Sequence, residues 1–243
     1  MNLLNILKPL NHLDNMKHLQ IFENFSDIDV ICKKHGIRIH GNYTINSDGT
    51  IDVDGDVILS NKGLGIALGY GDGGLTNKGL TNLPVKFGKT TGDFICSYNQ
   101  LKTLEGSPKE VGGSFFCSYN QLTTLEGGPK KVGMKREESS FYCDNNQLSS
   151  LLGCPSYVGG DFNCDNNKLT TLEGGPNEIG YDFYCSGNPI SNVYNIFNDY
   201  KEYQDSLDYN YLRGTDIVKS RFEEALQEIG KTAPKSIKGY NYI

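Results

Sequence analysis

From residue 92 to residue 188 the apolar and polar positions repeat in one order, F-x-C-x-x-N-x-L-x-x-L-x-G-x-P-x-x-V-G-G. Alternate residues of a strand point to the same side, so Phe94 and Cys96 face inward together while Ile95 and Ser97 face out. Phe115/Cys117, Phe141/Cys143, Phe162/Cys164 and Phe183/Cys185 repeat the pairing, which predicts two apolar ladders. Asn99, Asn120, Asn146, Asn167 and finally Asn188 fall where the chain leaves each strand. A buried amide there can satisfy backbone groups that no neighbouring strand pairs. Leu104, Leu125, Leu151 and Leu172, then Val111, Val132, Val158 and Ile179, fill the rest of each turn. Gly and Pro between them fix an irregular return path too short for a helix. One turn cannot bury its own apolar face, so stability comes from stacking neighbours.

The period is 21 residues: the ladder cysteines fall at 96, 117, 143, 164 and 185. The single longer step comes from Met134 to Glu138, inserted before the strand at Ser140 to Cys143. An insertion at such a loop projects outward, as decoration or as a partner contact. Upstream the repeat is degenerate. Leu75 to Pro84 lies one period before Cys96, and Val57 to Leu64 reads as a shortened copy. The glycine-rich stretch from Gly65 to Gly74 lacks the Lys-Ser/Thr and the strand-to-helix setting of a phosphate loop, and reads as an irregular turn.

The flanks change pattern. Residues 1–35 predict two helices, one from Leu3 to Phe25 interrupted at Pro9, and one capped by Ser26 or Asp27 and running to His35. Residues 42–55 alternate about Asn46-Ser47-Asp48-Gly49, a hairpin signal. Ser191 to Leu212 predicts an aromatic-rich helix, and Thr215 to Ile229 an amphipathic one stopped by Gly230. The expected organisation is a helical and hairpin cap over 1–55, a solenoid over 56–190 and a helical cap over 191–243. Within the solenoid, 56–91 are degenerate repeats and 92–190 strong ones.

These residues resemble the leucine-rich repeat L-x-L-x-x-N-x-L, with Phe in the first Leu slot and Cys in the second. The Leu-x-x-x-Pro segments, Leu104 to Pro108, Leu125 to Pro129 and Leu172 to Pro176, are similar to the short repeats of enterobacterial effector proteins. The whole chain, including its final Gly-Tyr-Asn-Tyr-Ile, resembles repeat proteins encoded by tailed bacteriophages. The resemblance implies an α/β repeat solenoid: a short leucine-rich-repeat horseshoe with a parallel β-sheet on its concave face and helical caps at both ends. The effectors carry a large cysteine-dependent ubiquitin-ligase domain. Only 53 residues, none of them cysteine, follow residue 190 here, so that activity does not transfer.

Composition narrows the function. The net charge of −6 opposes a general nucleic-acid binder, which needs a dense basic face. No stretch approaches the roughly 18 apolar residues of a spanning helix, and the opening nine residues are broken by Asn, Lys and Pro. The expectation is a cytoplasmic protein, in the host cytoplasm if phage-encoded. Seven cysteines in such a setting predict free thiols. The five in the ladder come one per turn, without C-x-x-C pairs or nearby histidines, and read as core rather than as metal ligands. Cys32 and Cys154 break the series and are expected to be more open to reagents. Asp52-Val53-Asp54-Gly55-Asp56 resembles half of a calcium loop, but it lacks the closing Glu and flanking helices, so a hairpin is preferred.

No catalytic constellation, cofactor site or metal site emerges, and a protein partner is the expected ligand. The expected contact surface is the concave sheet. Its outward rows are Asp93, Ser114, Ser140, Asp161 and Asp182; Ile95, Phe116, Tyr142, Asn163 and Tyr184; Ser97, Ser118, Asp144, Asp165 and Ser186; and Tyr98, Tyr119, Asn145, Asn166 and Gly187. Aromatics supply area and carboxylates select basic partners. The candidate residues are therefore Asp93, Ile95, Tyr98, Phe116, Tyr119, Tyr142, Asp144, Asp161, Asp165, Asp182 and Tyr184. The bland alternative is that these aromatics only pack across strands. Two further roles are a structural or assembly component of a phage particle, and nucleic-acid contact through Lys219, Arg221, Lys231, Lys235 and Lys238.

Overall fold

The structure, a computed structural model, describes residues 28–59, 79–133, 138–197, 199–209, 211–213 and 216–243. The expected helix from Leu3 to Phe25, the glycine-rich stretch 65–74 and all but Glu138 of the insertion lie outside these residues.

A helix, α1, covers 28–35. Strands β1 (Arg38–Ile45) and β2 (Ile51–Ile58) form an antiparallel hairpin with Ile45 opposite Ile51. Its turn is set by Asp48, which accepts the Thr50 amide at 3.0 Å and hydroxyl at 2.7 Å. β2 belongs at once to the hairpin and to the stack. Its first half pairs in parallel with β3 (Phe87–Thr90) and its second half with β4 (Phe94–Ile95). From β3 onward each coil therefore carries two short strands.

The first strands form ladder A: β3, β5 (Glu110–Val111), β7 (Lys131–Val132), β9 (Tyr157–Val158) and β11 (Glu178–Ile179). The second form ladder B: β4, β6 (Phe115–Phe116), β8 (Phe141–Tyr142), β10 (Phe162–Asn163) and β12 (Phe183–Tyr184). Together with β1 and β2 they make a 12-stranded, almost wholly parallel sheet, the architecture of a repeat solenoid. Ladder A is a departure from the expected irregular return path. Its Val-Gly-Gly segment places a β-branched residue in register with its neighbours, Val111 beside Val132 beside Val158, and so pairs instead of merely turning.

A glycine corner joins the two ladders. Three successive amides there point at the preceding coil: Gly112 to Thr90 O at 2.8 Å, Gly113 to Gly92 O at 3.0 Å, and Ser114 to the Asp93 carboxylate at 2.8 Å. A Cβ on Gly112 would lie 2.3 Å from the Thr91 carbonyl oxygen, so the corner closes only without one. The Leu-x-Gly turns need a different freedom. Ser107 N–H bonds Leu104 O at 3.0 Å across Gly106, whose φ is +90°.

Inside, Phe94, Phe115, Phe141, Phe162 and Phe183 stack with centroids 5.3 to 5.4 Å apart. Phe87 closes one end edge-on at 5.1 Å, and Tyr200 lies on Phe183 at 4.2 Å at the other. The asparagine ladder behaves as expected. In each coil its Oδ1 accepts a leucine amide at 2.9–3.0 Å, and its Nδ2 bridges the Cys-position carbonyls of its own coil and the one before. For Asn99 the preceding-coil carbonyl is that of Leu59. The Asp52–Asp56 run is structural too: alternate carboxylates on β2 accept the Lys89 amide, the Thr91 hydroxyl and the Asp93 amide at 2.8–2.9 Å.

The C-terminal flank differs from the two expected helices. Ser191–Tyr194 (α2) and Tyr200–Ser206 (α3) are separate, with a 3-10 turn at Leu207–Tyr209. The break sits where Asp199, extended at φ −152°, restarts the helix by accepting the Glu202 amide at 2.9 Å. The last helix, α4 (Lys219–Glu228), begins four residues later than expected, because Asp216–Ile217 (β14) pairs with Leu212–Arg213 (β13) and Asn241–Tyr242 (β15). Phe222, Ala225 and Leu226 of α4 are buried among Tyr203, Tyr211 and Phe197. No described helix is long and apolar enough to cross a membrane.

All seven thiols are free, and four ladder cysteines are fully buried, with Cys185 3% exposed. Burial pushes Cys96, Cys117, Cys143 and Cys164 far above the usual thiol range, and Cys185 to about 12. Cys32, expected to be open, is also buried, and burial with the nearby Asp29 charge lifts it to about 11. Cys154 is half-buried, its sulfur donating to Gly174 O at 3.1 Å. The thiolate is the reacting species. Burial lifts the Cys154 thiol to about 12 as well, so alkylation at pH 8 should be slow at every native position, with Cys154 labelled first because it alone of the seven is not buried, and fast throughout in denaturant. Prompt labelling of the native ladder, read by peptide mass spectrometry, would contradict this burial.

Candidate protein-binding face

The outward side of ladder B carries the candidate residues, and the structure separates them by burial and by hydrogen bonding. Ile95 is fully buried and offers a partner no surface, contrary to its expected outward role. The row Asp93, Ser114, Ser140, Asp161 and Asp182 is a second polar ladder. Asp56 receives the Asp93 amide at 2.8 Å, Asp93 that of Ser114, Ser114 that of Ser140 at 3.0 Å, Ser140 that of Asp161 at 2.9 Å, and Asp161 that of Asp182 at 3.1 Å. These side chains supply the acceptor that the glycine corner denies its third amide. Sequence reading missed this duty, although the recurring Asp or Ser directly after the corner marks it.

The aromatics stack in pairs along the stack. Tyr98 and Tyr119 lie 4.5 Å apart at 7°, Phe116 and Tyr142 5.1 Å apart at 1°. Cross-strand packing is therefore real, and it leaves area outside: Tyr119 is 46% and Tyr184 41% exposed. Tyr98, Tyr119, Asn145 and Asn166 all have φ between 53° and 58°, the left-handed turn that leads from each strand to the asparagine ladder. A tyrosine in that strained conformation holds its ring in one place beside its neighbour.

Asp144 and Asp165 sit on adjacent coils. Asp144 accepts the Ser118 hydroxyl and, at 2.7 Å, the side-chain Nδ2 of Asn145. Asp165 accepts the Ser186 backbone amide at 2.6 Å, and burial together with the charge of Asp144 raises its carboxyl. Tyr184 donates to Asp182 at 3.1 Å, and that bond raises its phenol.

Charge separates across the corner. The outward segments 93–98, 114–119, 140–145, 161–166 and 182–187 contain no lysine or arginine. Ladder A and its approach carry Lys86, Lys89, Lys109, Lys130 and Lys131, of which Lys89 pairs with Glu110 at 3.0 Å. Of the basic residues of the C-terminal flank, Lys219 lies 3.7 Å from Glu223, and Lys231 donates to Ile196 O at 2.6 Å. Among the described residues no group of three or more His, Cys, Asp or Glu side chains is arranged to hold a metal ion. Comparison with protein-family models, with curated proteins and with solved structures finds no match.

Proposed function

We propose that this chain is a non-enzymatic protein-interaction module of the leucine-rich-repeat type, which engages its partner through the outward face of ladder B. The observation that carries the reading is the union of stacked, partly exposed aromatics with carboxylates that have no lysine or arginine in their own rows. Aromatic area and localised charge are what protein-recognition hot spots combine. The resemblance to repeat proteins of tailed bacteriophages supports a phage-encoded protein acting in the host cytoplasm on a host or phage protein, with interference in host defence as the role. The same resemblance supports a second reading, a component of the phage particle or its assembly. Presence in purified particles favours that reading.

The test is capture of partners from infected cells by wild-type protein and by the Phe116→Ser/Tyr142→Ser double variant. Losing the stacked pair should cost about 1 kcal/mol beyond burial, so circular dichroism must first show the variant folded. Loss of the captured protein is expected; undiminished capture by a folded variant refutes this face.

A further inference from the structure

Ladder B ends at β12 with no following coil. In earlier coils the amides at the Phe and Cys positions donate forward, ending with Phe162 to Asp182 O and Cys164 to Tyr184 O, both at 2.9 Å. The equivalent amide of Phe183, a partly exposed residue, has no acceptor among the described residues; that of Cys185 has none either, but the residue is covered, with 3% of it exposed. An amide left without an acceptor at a strand edge is satisfied when another strand is added beside it.

The C-terminal flank covers the interior of this end and leaves its rim open. Tyr200 lies flat on Phe183, while Tyr181 is 58% and Tyr184 41% exposed. The last two coils also gather Asp161, Asp165 and Asp182, none of which forms an ion pair among the described residues. Asp182 has no following corner amide to receive. One of its oxygens takes the Tyr184 hydroxyl, and the other has no described partner.

We propose that β12 is the docking edge for an extended segment of a partner protein, added as the next strand of ladder B and bearing arginine or lysine at alternate positions. Charge complementarity selects that occupant: outward side chains of the added strand lie beside Asp182 and within reach of Asp165. The intervening positions must be small, because Tyr200 already occupies the space over Phe183. A second copy adding its own ladder B would bring carboxylates or neutral side chains to the same place. The proposal rests on the reading of this chain as a protein-binding module and names the chemistry and pairing mode of what it binds.

The experiment uses immobilised ten-residue peptides alternating serine with arginine, glutamine or glutamate, each also made with N-methyl groups on every second backbone nitrogen in either register. Full-length protein should bind the arginine peptide about tenfold or more tighter than the glutamine peptide, and less tightly in about 0.5 M salt. Methylation in one register should abolish binding and in the other spare it, since only alternate residues of an added strand bond to its neighbour. Asp165→Asn/Asp182→Asn should weaken arginine-peptide binding by about tenfold with an unchanged circular dichroism spectrum. Indifference to methylation register, equal binding of the glutamate peptide, no binding of any peptide, or concentration-dependent self-association through this edge would overturn the proposal. If no peptide binds while Phe116→Ser/Tyr142→Ser still loses its captured partner, strand addition falls and the module reading stands.

Discussion

Replacing Asn146 by alanine should remove about 4 kcal/mol of stability, a large share of the roughly 5 to 15 kcal/mol that holds a domain together. The change strips one acceptor from the Leu122 amide and one donor from each of two carbonyls, Cys117 and Cys143, in a region where Asn146 is 8% exposed. The Leu122 amide, left without an acceptor, then bears a desolvation cost of about 1 to 3 kcal/mol, while the two carbonyls keep the Asn120 and Asn167 side chains and each loses one bond worth about 0.5 to 1.5 kcal/mol. Urea denaturation should show the midpoint collapsing. A shift worth under about 1 kcal/mol would mean that water or backbone adjustment satisfies these groups instead. Asn146→Asp adds a pH signature. Its oxygen still receives the Leu122 amide, but an ionised carboxylate faces two carbonyls in a buried site, so its folded-state pKa lies above the unfolded value. Stability of this variant is therefore fullest below the unfolded carboxylate pKa and is lost as pH rises through the folded one. The wild-type amide has no such dependence at this position.

The second large effect is expected at Phe141. It is fully buried and stacks on Phe115 and Phe162 at 5.3 Å on both sides. Phe141→Ala opens a cavity in the middle of the ladder and should cost about 3 to 5 kcal/mol, a fall in Tm on the order of 10 °C. The same change at Phe183, which is partly exposed and ends the ladder under Tyr200, should cost less. Equal melting temperatures for the two variants would show that the column does not act through its stacked interior.

The parts of this fold that were legible in the sequence are those fixed by neighbours one period away. Phe, Cys, Asn and Leu recur because each contacts its own copy in the next coil, so self-comparison exposes both periodicity and burial. Ladder A was less visible: its strands are two residues long, and a single Val in a Gly-Pro-rich stretch gives no alternation to read. The corner ladder was hidden for a different reason. Asp93 and Asp161 look like free surface charge until the direction of three successive amides is known, and that is a property of backbone geometry. Ile95 illustrates the limit of parity arguments, since it lies in an outward row and is nevertheless buried. The C-terminal flank lacks a repeat altogether. Its aromatics pack against the end of the stack and one another, as Tyr203 does against Tyr194 and Phe197, so a helical period overstates its regularity.

The hairpin has a wider consequence. A pile of identical parallel coils has two matching ends and would join head to tail into filaments of any length. Here β1 runs antiparallel along the whole of β2, from Arg38 opposite Ile58 to Ile45 opposite Ile51, and fills the edge that an incoming molecule would need. Among the described residues the first end of the two ladders is thus closed, and of their strands only β11 and β12, at the other end, have a free side.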